Sequence, residues 1–209
     1  MLQNRVDPTG KIIFTPERGR WMGNRGVIHD KEKHIVRPFR IKTWITCALQ
    51  FKGRHREVMA RDRYTELFFM DEATAFSAGH RPCAECRRED YNRFKKYWIK
   101  GNPEFGFNEK TLIGRIDEVI HDERIGTDNE KRTHREPIEI LPDGTFILLD
   151  GLSYLKKADR LYKWSPEGYS GPEPITVTGE VDVLTPKTIV NAFRAGYVPQ
   201  IAPQAGLQE

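Results

Sequence analysis

Hydrophobic residues along the chain follow two spacings, and these spacings divide it into predicted strands and helices. Short β-branched and aromatic runs bounded by turn residues predict strands. In the first half such runs cover 12–14, 25–30, 34–37 and 44–51. In the second half they cover 145–149, 154–155, 160–164 and 175–181. The segment 166–174 is rich in glycine and proline and is predicted to be a loop.

Apolar residues that recur every three or four positions predict four helices. These helices cover 71–78, 84–99, 108–124 and 185–195. The last one has clear end signals, because Thr185 is a suitable N-cap, Pro186 suits the first turn and Gly196 suits a stop. The mixture of segregated strands and helices predicts an α+β fold.

A highly charged connection between 122 and 136 predicts a division of the chain into two parts. The first part, 1–128, is a strand and helix domain with a basic N-terminal arm. The second part, 129–209, is β-rich and closed by the helix at 185–195. A length of 209 residues suits one large domain or two small ones, so the two parts can also pack as one body.

Composition excludes two broad classes of protein. A hydrophobic content of 38% with 11% aromatic residues is typical of a folded chain and excludes a disordered one. The mean hydropathy of -0.64, without any long apolar run, excludes a transmembrane helix. The first residues also lack the apolar stretch of an export signal, so we expect a cytoplasmic protein with no membrane association.

Charge is distributed unevenly along the chain. Residues 1–100 carry 22 Lys and Arg against 12 Asp and Glu, whereas the remainder carries 12 against 18. A basic segment attracts phosphate polyanions, so nucleic acid, and DNA in particular, is the first partner to expect. The alternative is a solvated basic surface that compensates the acidic half.

Three cysteines provide the clearest candidate chemistry. Cys83 and Cys86 form a CxxC pair on a turn before a predicted helix, which is the half-site geometry of tetrahedral Zn²⁺. A redox pair is the alternative, but the parallel strand that precedes such pairs is not predicted here. Cys47 is the natural third metal ligand, although a lone cysteine can also be a small buried hydrophobe.

The segment 68–87 resembles the C-terminal half of the Ada-type zinc module of DNA methylphosphotriester repair. The shared features are paired aromatic residues, a short helix, the sequence Gly79-His80-Arg81-Pro82 and then CxxC. The resemblance covers about 20 residues. It implies that Cys83 and Cys86 bind zinc, that an upstream strand cysteine, here Cys47, completes the site, and that the module handles DNA.

One departure from the Ada-type pattern leaves the fourth zinc ligand open. That module has a second upstream ligand about four residues before the first, and this position is Thr43 here. Its methyl-accepting reaction is therefore not expected in the same form. The fourth position can belong to a carboxylate, to water, to substrate or to one of four histidines. These are His29, His34, His55 and His80.

A second pattern uses the same CxxC. His55-Arg56-Glu57 followed by Pro82-Cys83-Ala84-Glu85-Cys86 matches the HxE…PCxxC signature of zinc-dependent nucleobase deaminases. In that interpretation His55 binds zinc and Glu57 moves protons. The pattern requires a strand that runs directly into Pro82, whereas the spacing predicts a helix and a turn there. It also leaves Cys47 without a role.

Two further sets of residues are candidates for function. His29, at the end of a predicted strand, is a tentative catalytic residue that could act as base, metal ligand or phosphate contact, although His29-Asp30 can also be an ordinary polar turn. Five cations are candidate nucleic-acid contacts. They are Arg25, Arg81, Arg87, Arg88 and Lys95.

The sequence therefore predicts a zinc-binding, DNA-associated protein that acts on or recognises DNA, including modified or damaged DNA. The first alternative is a zinc-dependent nucleobase or nucleoside deaminase. The second is a structural zinc fold that docks another protein. Whether the chain is an enzyme stays open at this point, because a closed metal shell indicates a scaffold and an open one indicates catalysis.

Overall fold

A computed structural model describes residues 1–53 and 57–203, and the first part of the chain forms a six-stranded sheet. Its strands, from edge to edge, are β2 (Ile12–Ile13), β1 (Arg5–Val6), β5 (Leu67–Phe69), β3 (Trp21–Asn24), β4 (Ile45–Cys47) and β6 (Arg81–Pro82). Strand β3 pairs antiparallel with both β4 and β5, and β6 lies parallel to β4. This parallel pair positions the candidate site.

The second sheet is antiparallel and also has six strands in the described residues. Its order is β11 (Gly168–Pro174), β10 (Arg160–Ser165), β9 (Leu152–Lys157), β8 (Phe146–Leu149), β12 (Glu180–Val183) and β7 (His134–Pro137). With four α-helices the architecture is α+β, which confirms the predicted class.

Two local predictions were wrong. The predicted hairpin over 25–37 forms only an isolated bridge between His29 and Ile35. The predicted loop 166–174 contains strand β11, which pairs with β10 despite its glycine and proline residues. Strand β11 lies at the edge of the sheet. Proline is tolerated in an edge strand because the N–H group that it lacks can be one that would face solvent.

The helices are α1 (Glu72–Ser77), α2 (Arg88–Gly101), α3 (Ile113–Arg124) and α4 (Lys187–Arg194). The predicted N-cap of α4 was wrong, because the Thr185 hydroxyl accepts a hydrogen bond from the Phe146 amide instead. The first turn of α4 is satisfied from another helix: the Glu123 carboxylate accepts from the Thr188 N–H at 3.0 Å. The N-terminal end of α4 is thereby connected both to α3 and to β8.

The largest buried cluster joins residues from both sides of the predicted boundary at 128. It contains Phe76, Phe94, Trp98, Ile116, Ile120, Ile189, Phe193 and Tyr197. In a second cluster Ala73 of α1 packs with Phe146 of the second sheet. The two parts therefore share buried surface, while the division at 128 stays a prediction. None of the described helices combines the length and the apolar character that crossing a bilayer demands.

We expect Gly101→Ala to destabilise the protein by about 1–3 kcal/mol, the usual cost of overpacking. A Cβ atom at Gly101 would lie 2.3 Å from the carbonyl oxygen of Asn191, so α2 and α4 would have to separate. Gly114 is the matched control, because a Cβ there meets no atom within 4 Å. Gly114→Ala should leave stability unchanged or raise it by up to about 1 kcal/mol. Urea unfolding measures both, and equal effects would show that the helix contact is not tight.

Candidate metal centre

The pairing of β6 with β4 brings cysteines from distant parts of the chain together. Thr46 lies opposite Pro82 in the parallel register, and the Cys83 N–H donates to the Thr46 carbonyl at 2.8 Å. Cys47 ends β4, Cys83 follows β6 directly, and Cys86 lies in the turn that leads into α2. The three Sγ atoms all lie within 4.8 Å of one another. This group can hold a metal ion.

The geometry and the environment of the sulfurs fit a thiolate-bound metal. A tetrahedral ion with metal–sulfur bonds of about 2.3 Å separates its sulfurs by about 3.8 Å, which falls inside the 4.8 Å that bounds the three sulfurs. Backbone amides also point at the sulfurs: Ala48 N–H donates to Cys86 Sγ and Glu85 N–H donates to Cys83 Sγ, each at 3.4 Å. Such bonds stabilise thiolates, which are the form that binds metal.

The three thiols differ in acidity because they touch one another. A hydrogen bond from the Cys47 thiol lowers the pKa of Cys83 to about 5. The same hydrogen bond, together with burial, raises the pKa of Cys47, and burial raises the pKa of Cys86. One thiolate therefore forms readily without metal, while the other two protons must be displaced by the ion.

A cleft of about 340 Å³ opens beside the cysteines. Its floor is one face of the first sheet, since Met22 lies opposite both Cys47 and Phe68 in the strand register. Residues two positions away along a strand share a face, so Asn24, Ile45 and Glu66 line the same floor. The opposite wall carries Leu49, Phe51 and Tyr64.

Two of the polar side chains that line this cleft are buried. Glu66 is 3% exposed, and one of its carboxylate oxygens accepts from the Met59 N–H at 2.7 Å. The amide oxygen of Asn24 accepts from the Gly26 N–H at 3.2 Å. Glu66 was not singled out from the sequence. One sequence signal could have indicated Glu66. It lies two residues before Phe68, and residues two positions apart in a strand share a face.

The histidines that the structure describes do not join the three-cysteine group. His29 is buried with Nδ1 at 2.6 Å from the Thr65 hydroxyl, and His80 accepts a hydrogen bond from Arg25 on Nε2. His34 is exposed and lies next to Asp30. The remaining candidate, His55, lies outside the described residues. A catalytic role for His29 stays a prediction, and it would not involve the three-cysteine group.

Thr43, the position of the second upstream ligand in Ada-type modules, does not join the cysteines either. Its hydroxyl donates to the Asp117 carboxylate at 3.1 Å. Glu57 of the deaminase pattern pairs with Lys33 at 2.6 Å, and its side chain is exposed and does not line the cleft. In the other half of that pattern the predicted helix and turn are present as α1 and residues 78–79, and the two-residue strand β6 then ends at Pro82.

Three of the five candidate nucleic-acid contacts lie inside the protein. Arg81 forms a two-pronged ion pair with Asp117, at 2.7 and 2.8 Å. Arg87 pairs with Glu72 of α1 and with Asp90 of α2. Arg25 is 2% exposed. Arg81 and Arg87 are engaged by carboxylates and Arg25 is enclosed, so none of these three guanidinium groups is available for DNA at the surface.

The other two candidates are on α2. Arg88 is exposed, and Lys95 is half-buried with its ammonium donating to the Glu109 carbonyl at 2.7 Å. DNA association therefore stays a prediction that rests on the charge of the first 100 residues.

Comparisons of the chain with protein-family models, with curated proteins and with solved structures found no match. The resemblance to the Ada-type module accordingly stays a prediction carried by residues 68–87.

We expect the purified protein to hold one metal ion per chain through its three cysteines. Replacing any one of them, as in Cys47→Ser, should lower the bound metal well below one equivalent after dialysis, because each sulfur supplies a bond. Thr43→Ala is the control and should keep its metal, since Thr43 contacts Asp117. Elemental analysis measures both, and full metal content in Cys47→Ser would remove Cys47 from the site.

We expect Arg87→Met to destabilise the protein by about 3–5 kcal/mol, because it leaves the buried Glu72 carboxylate without its cation. Arg88→Met, one position along on the exposed surface, should change the unfolding free energy by no more than about 0.5 kcal/mol. Urea unfolding of the two variants is the measurement. A stable Arg87→Met protein that loses DNA binding would instead support the surface role predicted from the sequence.

Proposed function

We propose that the protein is a zinc-dependent hydrolytic enzyme that deaminates a planar, nucleobase-like substrate in the cleft beside Cys47, Cys83 and Cys86. The observation that carries this proposal is the shared location of three sulfurs and one buried carboxylate. Cys47, Cys83, Cys86 and Glu66 all line the same cleft of about 340 Å³.

Zinc is the metal that suits this group of ligands. Three thiolates are soft donors, and they favour zinc over magnesium or calcium, which prefer oxygen. Three-cysteine zinc sites occur among the zinc-dependent nucleobase deaminases. When bound, zinc supplies a Lewis acid that polarises a water molecule at its fourth position.

Glu66 is our candidate for the general acid and base. It is held in place through the Met59 amide, and its carboxylate lines the cleft. In the proposed reaction Glu66 takes a proton from the attacking water and passes it to the leaving nitrogen. A bond forms between the water oxygen and the ring carbon, the bond from that carbon to the exocyclic nitrogen breaks, and ammonia leaves.

The walls of the cleft suit a flat ring with polar edges. Met22, Phe68, Phe51 and Tyr64 provide apolar and aromatic surface, on which a heterocycle can stack. Asn24 provides an amide that can hydrogen-bond to a ring edge. This arrangement keeps the deaminase chemistry of the HxE…PCxxC pattern but assigns the proton transfers to Glu66, because Glu57 pairs with Lys33 at the surface.

The base could belong to a free nucleoside or to a DNA strand. The basic first half of the chain favours DNA, so we keep the association with DNA, including modified or damaged DNA and its repair, as part of the proposal. A structural zinc fold for protein docking is the competing function, and it predicts no chemistry in the cleft.

The test is ammonia release by the zinc-loaded protein from cytosine, adenine and guanine, each offered as a nucleoside and within single-stranded DNA. Glu66→Gln should keep its zinc and lower the rate by about 10²–10⁴-fold, because the proton acceptor is removed. Glu57→Gln is the matched control and should retain the wild-type rate, since its carboxylate does not line the cleft.

Two outcomes would contradict the proposal. Loss of activity in Glu57→Gln with full activity in Glu66→Gln would return the proton transfers to the HxE pattern. Absence of ammonia release from all six substrates, in a protein with one zinc per chain, would favour the structural zinc fold.

A further inference from the structure

A second cavity, of about 370 Å³, shares no lining residue with the cysteine cleft. Arg25 and Trp44 line it, and each is the sequence neighbour of a residue that lines the cleft, Asn24 or Ile45. Arg25 donates to His80, whose ring packs on Phe69 at 4.6 Å between centroids. Because Phe69 is the strand neighbour of Phe68, which lines the cleft, the cavity lies on the other face of the first sheet. Its other walls include Arg124 and Lys131.

Three cations converge on this cavity. The guanidinium groups of Arg25 and Arg124 lie 3.9 and 3.8 Å from the ring centre of Trp44. Both residues are almost fully buried, at 2% and 3% exposed. The ammonium of Lys131 donates to the Ser77 carbonyl at 2.6 Å.

The cluster has hydrogen-bonding capacity that the described residues leave unused. Arg25 donates through Nε to the ring of His80, while its Nη2 atom has no described partner. That atom is enclosed beside Gly10, another lining residue of the cavity, since a Cβ atom at Gly10 would lie 3.7 Å from it. Arg124 donates to the Gly79 and Lys42 carbonyls, which carry no compensating charge.

No described carboxylate forms an ion pair with Arg25, Arg124 or Lys131, in contrast to the other buried arginines. Four acids act on the cluster or line its cavity without forming such a pair. They are Asp7, Asp117, Asp122 and Glu130. Asp7 is occupied by the Thr9 hydroxyl and the Lys11 amide, and Asp117 by Arg81. An unpaired charge removed from water is unfavourable, so the cluster lacks a counter-ion.

The acidity of these groups reflects their burial and the neighbouring positive charges. Burial, followed by the charges of Arg124 and Arg25, lowers the pKa of Lys131 to about 7. Burial lowers the pKa of Arg25 to about 9 and also lowers that of Arg124. A bound anion would counter these shifts because it favours the charged forms.

We propose that this cavity is a binding site for a small organic phosphate monoester. The phosphate group would take the free Nη2 donor of Arg25 and the charge of Lys131, because arginine forks match phosphate oxygens. The apolar walls formed by Ile12, Ile35 and Pro38 would enclose the organic part. The cavity has the size of known small-molecule sites, which exceeds what an inorganic ion needs.

Calorimetric titration tests the proposal with three probes: inorganic phosphate, ribose 5-phosphate and adenosine 5′-monophosphate. We expect at least one ester to bind at least tenfold more tightly than inorganic phosphate, and to raise the melting temperature beyond the effect of chloride at equal ionic strength. Arg25→Met and Lys131→Met should each weaken that ester at least tenfold. Arg160→Met, on the exposed surface of the second sheet, should not change its affinity.

Lys131→Met keeps the test decisive if Arg25→Met does not fold, because the exchange removes a charge and retains the apolar stem. Absence of a melting shift beyond that of chloride for all three probes would overturn the proposal. Wild-type affinity in Lys131→Met, or an equal loss in Arg160→Met, would do the same. Equal affinity for phosphate and both esters would overturn the assignment to an ester. None of these measurements depends on zinc or on catalysis.

Discussion

The parallel pairing of β6 with β4 is the contact on which the candidate site depends. It aligns Thr46 with Pro82, so that Cys47 and Cys83 leave the two strands side by side. Two arginines then hold the turn that contains Cys86. Arg81 crosses to the Asp117 carboxylate, and Arg87 donates to the Thr46 hydroxyl at 2.8 Å. Arg81 and Arg87 therefore hold the three cysteines in place and do not bind a ligand themselves.

The first sheet separates two different chemical environments. The face that forms the floor of the cysteine cleft carries sulfurs, the Glu66 carboxylate and apolar rings. These groups suit a cationic metal and a flat, neutral substrate. The opposite face carries Arg25, Arg124 and Lys131 around Trp44, an environment that suits an anion. A single sheet can present both because its side chains alternate.

Part of the positive charge of the first 100 residues lies on arginines that are buried inside the protein. Arg81 and Arg87 neutralise buried carboxylates, and Arg25 lies beneath the surface beside Trp44. Net charge counts such residues as if they faced solvent, so it overstates the surface available to DNA. A buried ion pair and an exposed cation look the same in a sequence, because the partner of each arginine is set by chain segments far away.

The spacing of residues along the sequence determined the α+β class, the helices and the presence of Cys83 and Cys86 on one turn. Each of these features depends on residues only a few positions apart. The sequence also indicated that Cys47 joins this group, because it is the third of the three cysteines in the chain. Only the tertiary structure decided that Glu66 lines the cleft and that Lys131 joins two arginines. Those features arise from contacts between distant segments, and no local periodicity records which residues such contacts bring together.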